Sequence, residues 1–162
     1  MNQNPRLIER AQMLTSGYML EMTLSEDRTF ELWRHFMPLR RSIPFLASDY
    51  LISLQVYSHT TPKGIPDPGR PFYKWAAVEV TQKGVLPSGL SYLTVPEGLY
   101  AVFDHVGGPS KAYESFNYIF FEWLPASGYI IDTRPHFELL GEKYSNTDPE
   151  SEEEIWIPVR HS

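Results

Sequence analysis

Glu138 is the residue whose type and setting most call for chemistry. It stands in Phe137-Glu138-Leu139, a carboxylate between two large apolar side chains. In a strand Phe137 and Leu139 share one face and Glu138 takes the other. The acid then either lies on a solvated face or meets a partner. A buried carboxylate without one is costly, and it either holds a raised pKa or waits for a cation. Aromatic residues that could frame such a cation are Tyr57, Trp75, Tyr100, Trp123 and Trp156. A ring face attracts a cation by roughly 0.5–2 kcal/mol per favourable contact. One charge anchor with apolar plates accepts many ligands, because it imposes no fixed hydrogen-bond pattern. The same acid could instead be a general base, with Tyr57 or Tyr100 donating a hydrogen bond to a developing oxygen.

Other chemistries find less support. The histidines, His35, His59, His105, His136 and His161, show no paired metal spacing, so no metal or cofactor is expected. Asp104-His105 could do acid–base work, but it reads more simply as a strand end before Gly107-Gly108. Gly107-Gly-Pro-Ser110 could hold an anion at a helix start, but it reads more simply as a plain turn and cap. There is no Gly-x-Ser-x-Gly elbow and no phosphate loop. With no cysteine in the chain, disulfides and thiol chemistry are excluded. The acidic run from Glu150 to Glu154 reads as a solvated loop or strand edge that could attract a basic partner.

The totals set the class. A length of 162 residues suits one domain, 1–162. A net charge of −6 disfavours direct nucleic-acid binding, which needs a concentrated basic surface. Aromatic content of 14% exceeds what a small core requires and suits the walls of a pocket. No run approaches a membrane span and the first residues lack a signal-peptide core, so a cytoplasmic protein that binds no membrane is expected.

Elements must position Glu138 and the rings. Residues 7–14 read as a short strand or extended piece. Residues 17–24 alternate as a strand, and Ser25-Glu-Asp-Arg28 enters a helix carrying Phe30, Trp33, Phe36 and Met37, which ends or kinks at Pro38. Tyr50–Tyr57 and Phe72–Val80 are strands around a loop rich in proline and glycine, Ser58 to Pro71, which could rim a pocket. Tyr57 and Trp75 fall on the faces opposite the expected core; the facing of Tyr100 and Trp156 is open. After the turn region 83–89, the segment 92–98 leads into the strand 99–105. A helix starts at Pro109 or Ser110, buries Tyr113, Phe116, Ile119, Phe120 and Trp123, and stops at Pro125 and Gly128. Trp123 on that stripe has a packing role, with the groove in reach of its last turn. A strand around Phe137, an acidic loop and a last strand, 154–160, complete the chain. Pro158 suggests that this last strand is an edge or a strand end, where Ile155 could pair with a second copy. The order strand-helix-strand-strand occurs twice, in units of about 17–80 and 98–160.

Gly98-Leu-Tyr-Ala-Val-Phe103, Glu122-Trp-Leu-Pro-Ala-Ser-Gly-Tyr129, Phe137-Glu138 and Ile155-Trp-Ile-Pro158 resemble the GyrI-like small-molecule-binding domain. That family forms the effector-binding half of some AraC-type and BmrR-type multidrug-binding regulators, and also occurs as a stand-alone protein. The first half fits through Phe30–Pro38, Ile52–Tyr57 and Trp75–Val80. The resemblance implies an α+β fold: tandem βαββ units with pseudo-twofold symmetry, an antiparallel sheet with helices on one face and a ligand groove on the other. It implies that Glu138 holds a cationic or aromatic small molecule, with Tyr57, Trp75, Tyr100, Trp123 and Trp156 as walls. Stand-alone relatives also suggest two rivals. One is a hydrolase of electrophilic small molecules using Glu138 and Tyr100; the other is a protein-interaction module such as a DNA gyrase modulator. The regulators' DNA-binding domain is not expected in these 162 residues.

Overall fold

The computed structural model describes residues 4–108, 111–145 and 147–162. Its strands are β1 (Arg6–Arg10), β2 (Met13–Met22), β3 (Leu51–Val56), β4 (Phe72–Glu79), β5 (Ser91–Val95), β6 (Gly98–Val106), β7 (Tyr129–Ile131), β8 (His136–Leu140) and β9 (Glu152–His161). Helix α1 (Thr29–Phe36) continues as a 3-10 turn, Met37–Ser42. Helix α2 (Ala112–Asn117) passes through a π turn, Tyr118–Trp123, into α3 (Leu124–Ser127). The expected helix start at Pro109 or Ser110 lies outside the described residues.

The strand order is β1-β6-β9-β8-β3-β4-β2-β5, antiparallel throughout, with β7 also on β9. The inner six are two copies of one arrangement, β6-β9-β8 and β2-β4-β3, meeting at the β3–β8 pair. That pair runs Leu51↔Leu140, Ser53↔Glu138 and Gln55↔His136, so its centre is the axis of the expected pseudo-twofold. The repeated strand-helix-strand-strand order and the mixed α+β class are as the sequence implied.

Short connections then roll the sheet. Ala11-Gln12 joins β1 to β2, and Pro96-Glu97 joins β5 to β6, yet each pair is separated by five strands. Six strand spacings on a flat sheet cover about 29 Å, and a two-residue link reaches at most about 11 Å. The two edges therefore curl toward each other, and the sheet encloses the face without helices. Across it lies a row of side chains in register, Trp75, Leu54, Phe137, Trp156 and Val102, closed over by Met13, Val95, Ile8 and Leu93. The guanidinium of Arg10 stacks 5.2 Å from the Trp156 ring and that of Arg134 4.7 Å from Tyr100. Gly98, at φ 154°, leaves the space that Arg134 fills, for a Cβ there would strike its guanidinium.

Both helices pack on the other face. Leu32 and Phe36 of α1 cover Ala76 and Val78, and Ile119 and Leu124 cover Ala101, Phe103 and Ile155. Five local expectations change, the first being that Tyr113, expected on the buried stripe of its helix, is 75% exposed. Helix α1 begins at Thr29, whose N–H donates to Asp27 Oδ1 at 2.9 Å, with no hydroxyl cap from Ser25, and Phe30 points outward. Pro125 does not stop its helix. It lacks the N–H that would bond the Phe121 carbonyl, and the turn before it widens, so Leu124 N–H donates to Ile119. Gly128, left-handed at φ 79°, is the stop. The last strand is not an edge: β9 has β6 on one side and β8 and β7 on the other. The Pro158 carbonyl accepts from Asp132 N–H at 2.9 Å, so its nitrogen points the same way, into the gap between β8 and β7 where no ladder bond is lost. Among the described residues no helix is long and apolar enough to cross a membrane.

Candidate functional site

A cleft of about 560 Å³ opens on the helix-bearing face. This corrects the expected groove on the opposite face, which the rolled sheet fills with its own side chains. Cross-strand register makes the cleft floor a grid. One rank holds Lys74, Gln55, His136 and Ile157 from β4, β3, β8 and β9. The next holds Ala76, Ser53, Glu138 and Ile155. Phe72 and Tyr57 form the rank on the other side, their rings 4.9 Å apart. Phe116, Phe120 and Phe121 from α2 and the π turn make one wall, and Ile65, Pro66 and Pro68 of the 58–71 loop contribute a second. Gly64, at φ 86°, seats that loop against Ile131, where a Cβ would meet the Ile131 carbonyl, and Ile131 N–H donates to Lys63 at 3.0 Å.

Glu138 therefore stands on the helix face, opposed to Phe137 as strand parity requires. Burial pushes its carboxyl up to about 8; Lys74 opposes the shift, Glu153 adds to it, and the Gln55 hydrogen bond opposes it. That bond, Gln55 Nε2 to Glu138 Oε1, is long at 3.4 Å, and the same Nε2 reaches Ser53 Oγ at 3.1 Å. The carboxyl is thus only weakly satisfied by the protein. Tyr57 lies edge-on to His136 at 4.9 Å, and its hydroxyl is pushed well above the usual phenol range by burial and by the Glu138 charge. Burial lowers His136 to about 3, so its ring is neutral at pH 7. Behind the floor, burial also raises Glu153.

Of the residues singled out in the sequence, Glu138 and Tyr57 meet in the cleft. Trp75, Tyr100 and Trp156 do not: all three lie on the enclosed face, at 6%, 0% and 5% exposure. Trp156 stacks on Phe137 at 5.2 Å, and the Tyr100 hydroxyl donates to Pro135 at 3.3 Å. Tyr100 is thus on the wrong side of the sheet to assist Glu138 in catalysis. Trp123 packs edge-on against Phe103 at 5.2 Å and lines a shallow groove beside β1, away from the cleft. His105 is buried, with Nδ1 2.6 Å from Ser115 Oγ and Nε2 2.7 Å from the Gly108 carbonyl, a contact that ties the strand end to the helix. Phe72, Lys74, Gln55, His136 and the α2 rings were missed. The available signal was the helical segment of α2 and the π turn, with Tyr113, Phe116, Tyr118, Phe120, Phe121 and Trp123 inside eleven residues, wider than one buried stripe.

The family model of the GyrI-like small molecule binding domain matches residues 17–160. The chain belongs to this family. No curated protein is matched. Among solved structures it is similar to the EcmrR C-terminal domain, at 13% identity, TM-score 0.74 and full coverage of both chains, 100% each. It is similar to SAV2435 bound to tetraphenylphosphonium, at 15% identity and TM-score 0.67, covering 98% of this chain and 94% of that one. A hydrolase encoded by lin2189 from Listeria innocua is also similar, at 13% identity and TM-score 0.60, with 97% and 92% covered. At these identities the likeness is one of fold. The GyrI-like assignment carries the small-molecule-binding class.

Proposed function

We propose that this GyrI-like domain binds cationic, partly aromatic small molecules in the cleft bounded by α2, the π turn and the 58–71 loop. Glu138 is the charge anchor, and the rings of Tyr57, Phe72, Phe116 and Phe120 are the apolar plates. The observation that carries this reading is a weakly satisfied carboxyl on an aromatic-lined floor. A cation supplies the charge that the protein withholds from Glu138, and rings around it add cation–π attraction. The cavity volume lies within the range of about 300–1,000 Å³ that accommodates drug-sized ligands. The fold shared with SAV2435, solved with a lipophilic cation, is consistent with it.

The test is thermal. Tetraphenylphosphonium at a large excess over its Kd should raise the melting temperature, since a ligand that binds only the native state stabilises it. Glu138→Gln should remove that shift. An equal shift in the variant, or none in the wild type with any organic cation, defeats the reading.

A second reading, hydrolysis of an electrophilic small molecule, is favoured by one observation. A carboxyl titrating near neutrality beside Tyr57 could act as general base. Turnover of an epoxide or strained-ring substrate that disappears in Glu138→Gln would select it.

A further inference from the structure

Lys74 lies in the same cleft, and its pairing sets it apart. Its side chain comes from β4, one rank from Glu138 and two strands away, with Gln55 between them. Two strand spacings and two residues place the two Cα atoms about 12 Å apart. Lys74 Nζ donates to Thr29 Oγ1 at 3.0 Å, the hydroxyl that opens α1. Among the described residues it makes no ion pair. Asp27, Glu138 and Glu153 all sense its charge, but none closes on it. The ammonium has three donors and one partner in the protein, and it faces the ligand space.

A ligand that is only a cation fits this arrangement poorly. Once drawn to Glu138 it faces a like charge across the cleft, and Lys74 stays unpaired. A ligand with a positive and a negative end neutralises both groups at once. Such double pairing is the condition under which buried charges become favourable. Gln55 and the neutral His136 fill the floor between the two ends without adding charge.

We propose that the preferred ligands of this cleft are amphoteric aromatic molecules, whose cationic end meets Glu138 and whose carboxylate or other anionic end meets Lys74. This rests on the reading of the cleft as a ligand site.

The test uses a matched pair of dyes, a rhodamine with a free carboxylate and the same rhodamine as its methyl ester. Both carry the delocalised cation, and only the first carries the anion. Binding is followed by fluorescence anisotropy with the whole 162-residue chain. The wild type should bind the free acid about tenfold tighter than the ester, the size of one charge-assisted contact. Lys74→Met should erase or invert that ratio, and Lys74→Arg should keep it. Glu138→Gln should weaken both dyes together. Near-UV circular dichroism checks that each variant is folded, and Lys74→Gln serves if Lys74→Met is not. A wild type that prefers the ester, or a ratio that survives Lys74→Met, overturns the proposal while leaving the cleft a cation site. Binding of neither dye, with no response to tetraphenylphosphonium, removes the ligand-site reading and this proposal with it.

Discussion

Replacing Glu138 by Gln should make the unliganded protein more stable, and by an amount that depends on pH. The carboxyl titrates near 4.5 in the unfolded chain and at about 8 in the cleft, raised first by burial. The folded state thus prefers the neutral acid. Below the unfolded value the group is neutral in both states and has no effect. As pH rises from 4.5 to about 8, the unfolded chain gains by ionising while the native state does not, and stability is lost. Above the folded value the loss is constant. At about 1.4 kcal/mol for each pH unit between the two values, the limit is about 5 kcal/mol. Partial solvent access at the cleft mouth reduces this to about 2–4 kcal/mol. Gln keeps the shape, presents an oxygen to Gln55 and cannot ionise. At pH 9 the variant should melt about 5–10 °C above the wild type for a chain of this size. At pH 4 the two should coincide. Calorimetric or circular-dichroism melts from pH 4 to 9 give the difference curve, in which groups common to both proteins cancel. A difference that does not change with pH, or a variant less stable than the wild type at pH 9, refutes the argument that the cleft holds a strained acid.

Two further outcomes follow from the same geometry. Affinity for tetraphenylphosphonium should rise up to about tenfold per pH unit from pH 6 to 8 and then level off, because the cation must displace the Glu138 proton; titration calorimetry in buffers of different ionisation enthalpy reads the released proton directly. Trp156→Ala should cost about 3–5 kcal/mol by emptying space against Phe137, yet leave cation affinity unchanged, whereas Tyr57→Ala should weaken binding; chemical denaturation and a binding titration on each variant separate the two.

Strand parity set Glu138 opposite Phe137 and Leu139, without choosing between a solvated face and a cleft. Phe137 and Leu139 on one side put the acid on the other, and that held. Alternation also gave the strands around Ile52 and Ala76, and turn residues gave their ends. Parity does not say which of two apolar faces stays open. On β4, Ala76 and Val78 oppose Tyr73 and Trp75, and the large rings looked free. The small residues lie under α1 because a helix backbone needs room there, and Trp75 fills the inside of the roll. Trp156 and Tyr100 went the same way, and with them most of the expected aromatic wall.

What decides the open face is a pair of connections that have no meaning until the strand order is known. Ala11-Gln12 and Pro96-Glu97 look like ordinary hairpin links. Because each joins opposite ends of the sheet, they force it to roll, and the rolled face must be packed solid. Each helical segment packs on its own βαββ unit, the first on Ala76 and Val78 and the second on Ala101 and Phe103. The cleft lies beside α2 and the 58–71 loop, and Glu138 from β8 stands on its floor at the β3–β8 axis. The corresponding position in the first unit is Ser53, its partner across the axis. One unit therefore contributes the acid and a small hydroxyl answers it from the other. A second carboxylate at Ser53 would face Glu138 across one strand pair, and the repulsion would keep one of the two protonated. The asymmetry at the centre of a nearly symmetric fold leaves one carboxyl on the cleft floor, with a small hydroxyl facing it from the other unit.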